Sequence, residues 1–269
     1  MGSTKVNGSK KFKGKRVGTN MEVIITRDYQ AMAQRCARLM VEKIMSTSNE
    51  GKVVLGLPTG RTPESVYEEL VKMYQNGDVD FQHAITFNLD EYSGLSPEDA
   101  RSYNYYMWEK FFSHVNVPKE NINIPNGTAP DLEEECRNYD RRYRETGGVD
   151  LMLLGIGRNG HIAFNEPGTP FGLTTHLVKL AEQTLLDNFG STEDDTLPRY
   201  AFTMGIKSIM KSREIILIAT GENKAEIMPH ALQGPVSEKV PASVLQLHPN
   251  VKVILDEEAA AQVEPGKVQ

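Results

Sequence analysis

The strongest constraint on the fold is a series of short apolar runs that show no polar alternation and that are separated by segments with helical periodicity. The clearest runs are KVVLGLP (52–58), HAITFNLDEY (83–92), VDLMLLGIG (149–157), REIILIAT (213–220) and VKVILD (251–256). Continuous apolar strands are typical of a sheet that is covered on both faces. Helices between such strands favour parallel pairing, because parallel neighbours need a crossover connection. We therefore expect an α/β fold in which a mostly parallel sheet carries helices on both faces.

The rest of the chain predicts further elements by the same criteria. MEVII (21–25) is typical of a strand, and LTTHLVKL (173–180) of an additional, alternating strand. Helices are expected in YQAMAQRCARLMVEKIM after Asp28, at about 102–113, at 131–145 and in ENKAEIMPHALQG. A further helix is expected after the strand that stops at TGRTP, with Pro63 near its first turn and an end at about Tyr74. The acidic stretch from Asp187 to Pro198 is expected to be a mobile loop.

The predicted domain organisation is simple. Residues 1–20 are rich in Lys, Gly and Ser and have no apolar core, so they are expected to form a disordered basic arm or a leader rather than a secretory signal. Residues 21–263 contain no linker or repeat and are expected to form one domain, followed by a tail at 264–269.

Composition excludes several classes of protein. The chain has a net charge of −6 and a pI of about 5.6, which argues against nucleic acid as a main partner. It has no run of roughly 20 apolar residues that could span a bilayer. Cys36 and Cys136 form neither a CxxC pair nor a disulfide framework, which is typical of reduced thiols in the cytoplasm. We expect a cytoplasmic protein with no membrane partner.

Ligands of such sheets bind outside the carboxyl ends of the strands, and two of the predicted strand ends suit a phosphate. In GLPTGRTP (56–63), the hydroxyls of Thr59 and Thr62 and the free amides of a helix start could bind it. The spacing is not that of a P-loop, and an ordinary capped turn is the alternative. Lys224 follows the strand end in TGENKA (220–225), where a solvated lysine is the alternative.

A third strand end carries two carboxylates. In FNLDEY (87–92), Asp90 and Glu91 stand where a buried strand emerges. A carboxylate there is partly desolvated, so its pKa can rise toward that of a general base. The alternatives are a helix cap or a surface pair.

The fourth strand end, GIGRNGHIAFNEP (155–167), combines His161 with Glu166 and Asn159. A histidine held by a carboxylate is a proton shuttle near neutral pH, and the glycines allow the backbone to approach a ligand closely. A metal site is a poor alternative, because one His and one Glu are too few ligands. A buried, structural histidine is the other alternative.

Together these segments, as GLPTGxTP, TFNxDEY, GIGxxGHIAFNEP and the later LQLHP, resemble the glucosamine-6-phosphate deaminase (isomerase) family. The resemblance covers most of residues 21–258 in matching order and spacing. It implies a single-domain, Rossmann-like α/β fold. It also implies an enzyme that converts glucosamine 6-phosphate and water to fructose 6-phosphate and ammonia, without metal or organic cofactor.

The resemblance also implies roles for individual residues. Asp90 matches the base that moves a proton between C2 and C1 of the sugar. His161 matches the residue that opens the pyranose ring, Glu166 matches its carboxylate partner, and Asn159 occupies a position that is Asp or Asn within the family. The positions that match the phosphate pocket are Thr59, Gly60, Arg61, Thr62 and Lys224.

The sequence departs from the family at several points. Arg61 stands where many members have Gly or Ser, and an arginine that holds phosphate in some members has no clear match in QTLLDNFGSTEDDTLPR. The segment 174–179 does not match a basic effector pocket, and the chain ends soon after LDEEAAAQV, so we expect no allosteric regulation. The expected partner is a small sugar phosphate, and the chain is a possible homo-oligomer.

Three other functions stay open on the sequence alone. A deaminase for another amino sugar phosphate, such as galactosamine 6-phosphate, would account for the altered phosphate segment. A 6-phosphogluconolactonase-like hydrolase shares the fold but usually carries a GHxASLFP-type loop. A non-catalytic sugar-phosphate sensor would use the same pocket without turnover.

Overall fold

The computed structural model describes residues 21–48, 51–192, 194 and 196–264. The predicted basic arm at 1–20 and residues 265–269 of the predicted tail lie outside the described residues. No helix in the described part of the chain is both long enough and apolar enough to cross a membrane.

The secondary structure follows the predicted alternation of strands and helices. The strands are β1 (Met21–Thr26), β2 (Val53–Leu57), β3 (Ala84–Asn88), β4 (Asp90–Tyr92), β5 (Ile122–Asn123), β6 (Leu151–Leu154), β7 (His176–Lys179), β8 (Tyr200–Thr203), β9 (Ile215–Ala219) and β10 (Val251–Asp256). The α-helices are α1 (Tyr29–Ser48), α2 (Arg61–Gln75), α3 (Tyr103–Lys110), α4 (Leu132–Glu145), α5 (Glu182–Phe189), α6 (Ile206–Ile209) and α7 (Ile227–Leu232). Short 3₁₀ helices lie at Phe112–His114, Lys119–Asn121, Glu222–Lys224 and Pro241–Leu247.

The main sheet has seven strands in the order β1-β10-β9-β6-β2-β3-β5, and every neighbouring pair is parallel. From β2 the chain builds outward through β3 to β5, and then returns to place β6 on the other side of β2. The strand order therefore reverses between β2 and β6. In an open parallel sheet, the carboxyl ends at such a reversal frame a crevice in which ligands bind.

Alternate residues of each strand pack into two cores, one on each face of the sheet. Leu151 and Leu153 of β6 pack with residues of α1, α2 and α3. Met152 and Leu154 of the same strand pack with residues of α4, α6 and α7. This burial on both sides explains the continuous apolar runs, and it confirms the prediction of one α/β domain with helices on both faces.

The expectation of a single strand over 83–92 is wrong. The parallel pairing of β3 ends with the bond from the Leu89 amide to the Leu57 carbonyl oxygen, at 3.2 Å. The chain then leaves the main sheet, and β4 pairs antiparallel with β8 in a second sheet of order β4-β8-β7. Residues on both sides of the switch are buried, the polar Asn88, Asp90 and Glu91 included, so no exposed turn in the sequence reveals it.

The predicted strand at 173–180 is shorter than expected and belongs to this second sheet. Only β7 is a strand, and it pairs antiparallel with β8. His176, Leu177 and Val178 are half-buried and Lys179 is exposed, so the burial of β7 does not follow the alternation of the sequence.

Two further expectations need correction. The helix predicted in ENKAEIMPHALQG is divided into a 3₁₀ turn and α7, because Pro229 has no N–H for a continuous helix and its ring would meet the carbonyl of Ala225. The loop predicted from Asp187 to Pro198 begins too early, since α5 continues to Phe189 and ends at Gly190 with φ 72°. Residues 193 and 195 of that loop lie outside the described residues.

Candidate active site

All four strand ends singled out in the sequence lie at the same edge of the main sheet. β3, β2, β6 and β9 are near neighbours in the strand order and run parallel. Their carboxyl ends are followed by FNLDEY, GLPTGRTP, GIGRNGHIAFNEP and TGENKA, respectively. The fold therefore gathers the predicted site residues around the point at which the strand order reverses.

Asp90 is a buried carboxylate of this edge with almost no hydrogen-bond donors around it. It begins β4 and is only 6% exposed. Its Oδ1 accepts one long hydrogen bond from the Thr59 hydroxyl, at 3.4 Å. Burial and the adjacent Glu91 carboxylate raise the pKa of Asp90 to about 7, against a weak opposing effect of Thr59. A carboxylate with this pKa can both accept and release a proton near neutral pH.

Glu91 is held very differently. Its carboxylate accepts hydrogen bonds from the backbone amides of Tyr92 at 2.7 Å, Tyr103 at 2.9 Å and Asn104 at 2.7 Å. Tyr103 and Asn104 are the first residues of α3, so the helix dipole also favours a negative charge there. Burial raises the pKa of Glu91 to about 7, and the three donors oppose that rise only in part. Three amide donors bond Glu91, whereas one long hydroxyl bond reaches Asp90, so Glu91 is the better placed of the two to carry a negative charge. The sequence alternative of a helix cap applies to Glu91 rather than to Asp90.

His161, Asn159 and Glu166 form a closed set of hydrogen bonds. The His161 Nδ1 lies 2.8 Å from Asn159 Oδ1 and 3.3 Å from Glu166 Oε1. Asn159 Nδ2 in turn donates to Glu166 Oε2 at 2.6 Å. Because both neighbours of Nδ1 are acceptors, these bonds place the proton on Nδ1 and leave Nε2 as a free acceptor. Burial alone would raise the pKa of Glu166, but the bonds from His161 and Asn159 lower it overall, so Glu166 is ionised.

A two-residue turn brings His161 beside Glu166. Ile162 and Asn165 form a bridge around Ala163 and Phe164, with 3.1 Å between the Asn165 amide and the Ile162 carbonyl oxygen. Ala163 has φ 52°, a strained value for a residue with a side chain.

Asn165 holds this turn in place, a role that the sequence analysis missed. Its side-chain amide donates to the carbonyl oxygens of Ile162 and Met204, both at 2.9 Å. It is fully buried, unlike most asparagines, but a sequence does not show burial at a turn.

The imidazole of His161 rests directly on Gly157. A Cβ atom at Gly157 would lie 2.1 Å from His161 Cε1 and 2.3 Å from Nδ1. The Gly157 amide also donates to the His161 carbonyl oxygen at 2.9 Å. This glycine is therefore needed for the ring position and not for backbone freedom alone.

The other two segments offer cationic and amide groups. Gly60 precedes α2 and makes no side-chain capping bond, so no side chain of the described residues occupies the amides of that helix start. Thr59 and Thr62 are half-buried beside them, and Arg61 is exposed. Lys224 is half-buried in the 3₁₀ turn after β9.

Asp256 fixes the turn that carries Lys224. Both of its carboxylate oxygens accept from the Gly221 amide, at 3.1 and 2.9 Å. Asp256 is not recognisable from the sequence as a site residue, because it lies at the end of β10 and far from Gly221 in the chain. Within the described residues, no three His, Cys, Asp or Glu side chains are grouped closely enough to hold a metal ion.

Known proteins show clear similarity to this chain. The family model described as glucosamine-6-phosphate isomerases/6-phosphogluconolactonase matches residues 27–254. The glucosamine-6-phosphate deaminase of Thermoanaerobacter pseudethanolicus is 49% identical over 246 residues, which cover 90% of this chain and 95% of that protein. The glucosamine-6-phosphate deaminase of Shouchella clausii is 48% identical over 244 residues, with coverages of 90% and 97%.

Solved structures show the same relationship. A monomeric glucosamine-6-phosphate deaminase superposes with a TM-score of 0.85 at 44% identity, over 89% of this chain and 99% of that chain. The 6-phosphogluconolactonase of Thermotoga maritima superposes with a TM-score of 0.71 at 19% identity, over 88% and 99%. The second similarity shows the fold alone.

Replacing Gly157 by Ala tests the position of the imidazole. The new methyl group would overlap the ring, so we expect His161 to lose its bonds to Asn159 and Glu166 and to become a mixture of tautomers. Nitrogen-15 NMR of the ring resolves the tautomers, and wild-type protein should show Nδ1–H. Gly172→Ala is the matched control, because Gly172 is exposed and has no neighbour within 4 Å of an added Cβ. An unchanged His161 spectrum in Gly157→Ala would contradict the described packing.

Proposed function

The chain belongs to the glucosamine-6-phosphate isomerase/6-phosphogluconolactonase family, and we propose that it is a deaminase that converts glucosamine 6-phosphate and water to fructose 6-phosphate and ammonia. The residue roles are assigned from the contrast between Asp90 and His161, two acid–base groups at one edge of the sheet. Asp90 is buried with a raised pKa, whereas His161 is bonded through Nδ1 to Asn159 and Glu166, which leaves its Nε2 available to a substrate. Curated relatives near half identity are deaminases, whereas the similarity to a lactonase supports the fold only.

The first proposed step is the opening of the pyranose ring. The Nε2 of His161 takes the proton of the O1 hydroxyl, the C1–O5 bond breaks, and the same proton is delivered to O5. The imidazolium that exists between the two transfers is stabilised by Glu166, and Asn159 keeps the ring oriented. The product of this step is the open-chain aldehyde, in which the C2 hydrogen is acidic.

The second proposed step moves that hydrogen from C2 to C1. The carboxylate of Asp90 removes the C2 proton, O1 gains a proton that the substrate ammonium gives up, and an enolamine forms. Asp90 then returns its proton to C1, which leaves an iminium at C2. Water adds to C2 and ammonia leaves, giving the ketose. A base of pKa about 7 is suited to both halves of this transfer.

The phosphate group is proposed to bind between the start of α2 and the turn after β9. The free amides of the helix start, the hydroxyls of Thr59 and Thr62 and the side chains of Arg61 and Lys224 supply donors and positive charge. The hydrogen bond from Thr59 to Asp90 joins this pocket to the base. Phosphate binding therefore holds the reacting carbons of the sugar at a fixed distance from Asp90.

We also infer the location, the partners and the oligomeric state of the protein. Its net charge of −6 argues against nucleic acid as a main partner, and its family favours a small sugar phosphate. We infer a cytoplasmic location without a membrane partner. The proposed steps use only side chains of this chain and call for no cofactor. The sequence left a homo-oligomer possible, but the similar deaminase of known structure is monomeric, which favours a monomer here. The absence of allosteric regulation stays a prediction from the sequence.

Turnover with and without Asp90 tests the proposal. Purified protein is incubated with glucosamine 6-phosphate, and separately with galactosamine 6-phosphate, while ammonia and ketose phosphate are followed. We expect release from glucosamine 6-phosphate, and a loss of about 10²–10⁴-fold in kcat for Asp90→Asn because the proton acceptor is removed. Asp78→Asn, at an exposed site, serves as the control. Release from galactosamine 6-phosphate alone, or full activity of Asp90→Asn, would contradict the proposal.

The same substitution should change the stability in a pH-dependent way. Folding raises the pKa of Asp90 from an ordinary value of 3.8 to about 7, so the folded state binds the proton more tightly than the unfolded state. Above pH 7 the wild-type protein must bury a charge, which destabilises it, and this cost falls progressively as the pH drops from about 7 toward 3.8. We therefore expect Asp90→Asn to unfold at a higher urea concentration than wild type at about pH 8.5. The difference should shrink toward pH 5, and a difference independent of pH would contradict the assigned pKa.

A further inference from the structure

Two tyrosine hydroxyls from different helices bond consecutive carbonyl groups at the start of α2. Tyr106 of α3 donates to the Gly60 carbonyl oxygen at 2.7 Å. Tyr29 of α1 donates to the Arg61 carbonyl oxygen at 2.8 Å. Both carbonyls can also accept within the helix, because an amide oxygen has two lone pairs. The loop that leads into α2 is thus tied on its outer side to the two neighbouring helices.

A third hydroxyl extends this arrangement into the core. Tyr67, fully buried in α2, donates to the Pro58 carbonyl oxygen. Its ring stacks on Phe111 with 5.2 Å between centroids, so this contact belongs to the hydrophobic core as well as to the loop. Tyr29 and Tyr106 differ from it, because Tyr29 is 39% exposed and Tyr106 is half-buried.

Each of the two carbonyls shares a planar peptide group with a free amide. The Gly60 carbonyl is joined to the Arg61 N–H, and the Arg61 carbonyl is joined to the Thr62 N–H. The first amides of a helix have no partner within the helix, and the N–H points away from the carbonyl of the same peptide. A hydrogen bond to the carbonyl therefore fixes the direction of the N–H and also polarises it.

The loop needs such an external restraint. Gly60 has φ 109°, a conformation that glycine adopts at little cost and can exchange for others at little cost. An added Cβ at Gly60 would meet nothing within 4 Å, so packing does not hold the residue in place. Hydrogen bonds to the peptides on its carbonyl side are thus well placed to limit rotation of the amides.

We propose that Tyr29 and Tyr106 are positioning residues of the phosphate pocket, which orient the Arg61 and Thr62 amides toward the phosphate group of the substrate. The inference rests on the proposed function, since it deepens the assignment of this pocket. Water can replace either hydroxyl as a donor to the carbonyl, but it cannot fix the angle of the peptide. Loss of a hydroxyl should accordingly weaken phosphate binding more than folding.

The test removes the hydroxyls and keeps the rings. Tyr29→Phe, Tyr106→Phe and the double variant are compared with Tyr105→Phe, because Tyr105 is 40% exposed on α3 and is not among the residues that bond the loop. Steady-state kinetics give kcat and KM for glucosamine 6-phosphate. Calorimetric titration gives the Kd of inorganic phosphate without any need for turnover, and thermal unfolding reports the stability of each variant.

We expect KM and the phosphate Kd to rise about threefold to tenfold for each lost hydroxyl, as for one hydrogen bond to a polarised group. The kcat should stay within about twofold, because an interaction kept from ground state to transition state affects KM alone. Unchanged KM and phosphate Kd in the double variant would overturn the inference. So would a fall in kcat and melting temperature with the phosphate Kd unchanged, since that pattern belongs to a structural role.

The two proposals can fail separately. If wild-type protein binds inorganic phosphate and the double variant binds it more weakly, the positioning role is supported even without ammonia release from glucosamine 6-phosphate. If the protein releases ammonia but the phosphate Kd is the same in all four variants and wild type, the deaminase proposal stands and the positioning role is wrong.

Discussion

The structure depends on the way the chain leaves the main sheet at Leu89. The last parallel hydrogen bond is made by the Leu89 amide, and the next residue, Asp90, already pairs antiparallel with Thr203. At this change of sheet Asp90 is buried, and Glu91 reaches the first amides of α3. Burial keeps the proton affinity of Asp90 high, and the adjacent Glu91 carboxylate, which the helix start bonds, adds to this effect. The exit of the chain from the main sheet therefore creates both the second sheet and the raised pKa of Asp90.

The loop that carries His161, at the same edge of the sheet, controls its carboxylate differently. Around His161 the fold supplies neutralising bonds rather than burial alone, and Glu166 stays ionised because Asn159 and His161 both bond it. Two carboxylates with opposite pKa shifts can thus serve as a proton carrier and as a fixed charge, a division of roles that enzymes commonly use. The strain at Ala163 is tolerated because buried bonds from Asn165 over-determine the turn.

The main sheet and the location of the candidate site could be predicted from the sequence, whereas several long-range contacts could not. Apolar runs predicted six of the seven strands of the main sheet, and the two-residue strand β5 was not predicted. The polar residues after these runs predicted the site edge. The break at Leu89 was hidden, because residues on both sides of it are buried. Tyr29, Tyr106 and Asp256 could not be found either, because each bonds a backbone group more than 30 positions away in the chain. A pattern of side chains does not report such partners.

The central claim is that one buried carboxylate, Asp90, carries the proton from C2 to C1. The most direct measurement uses glucosamine 6-phosphate with deuterium at C2 in ordinary water, followed by mass spectrometry of the fructose 6-phosphate. Asp90 is only 6% exposed, so exchange of its proton with solvent should be slow relative to the return to C1. The account predicts that part of the deuterium appears at C1. Product whose C1 carries hydrogen from water alone would contradict it, because a base in open contact with solvent would then perform the transfer.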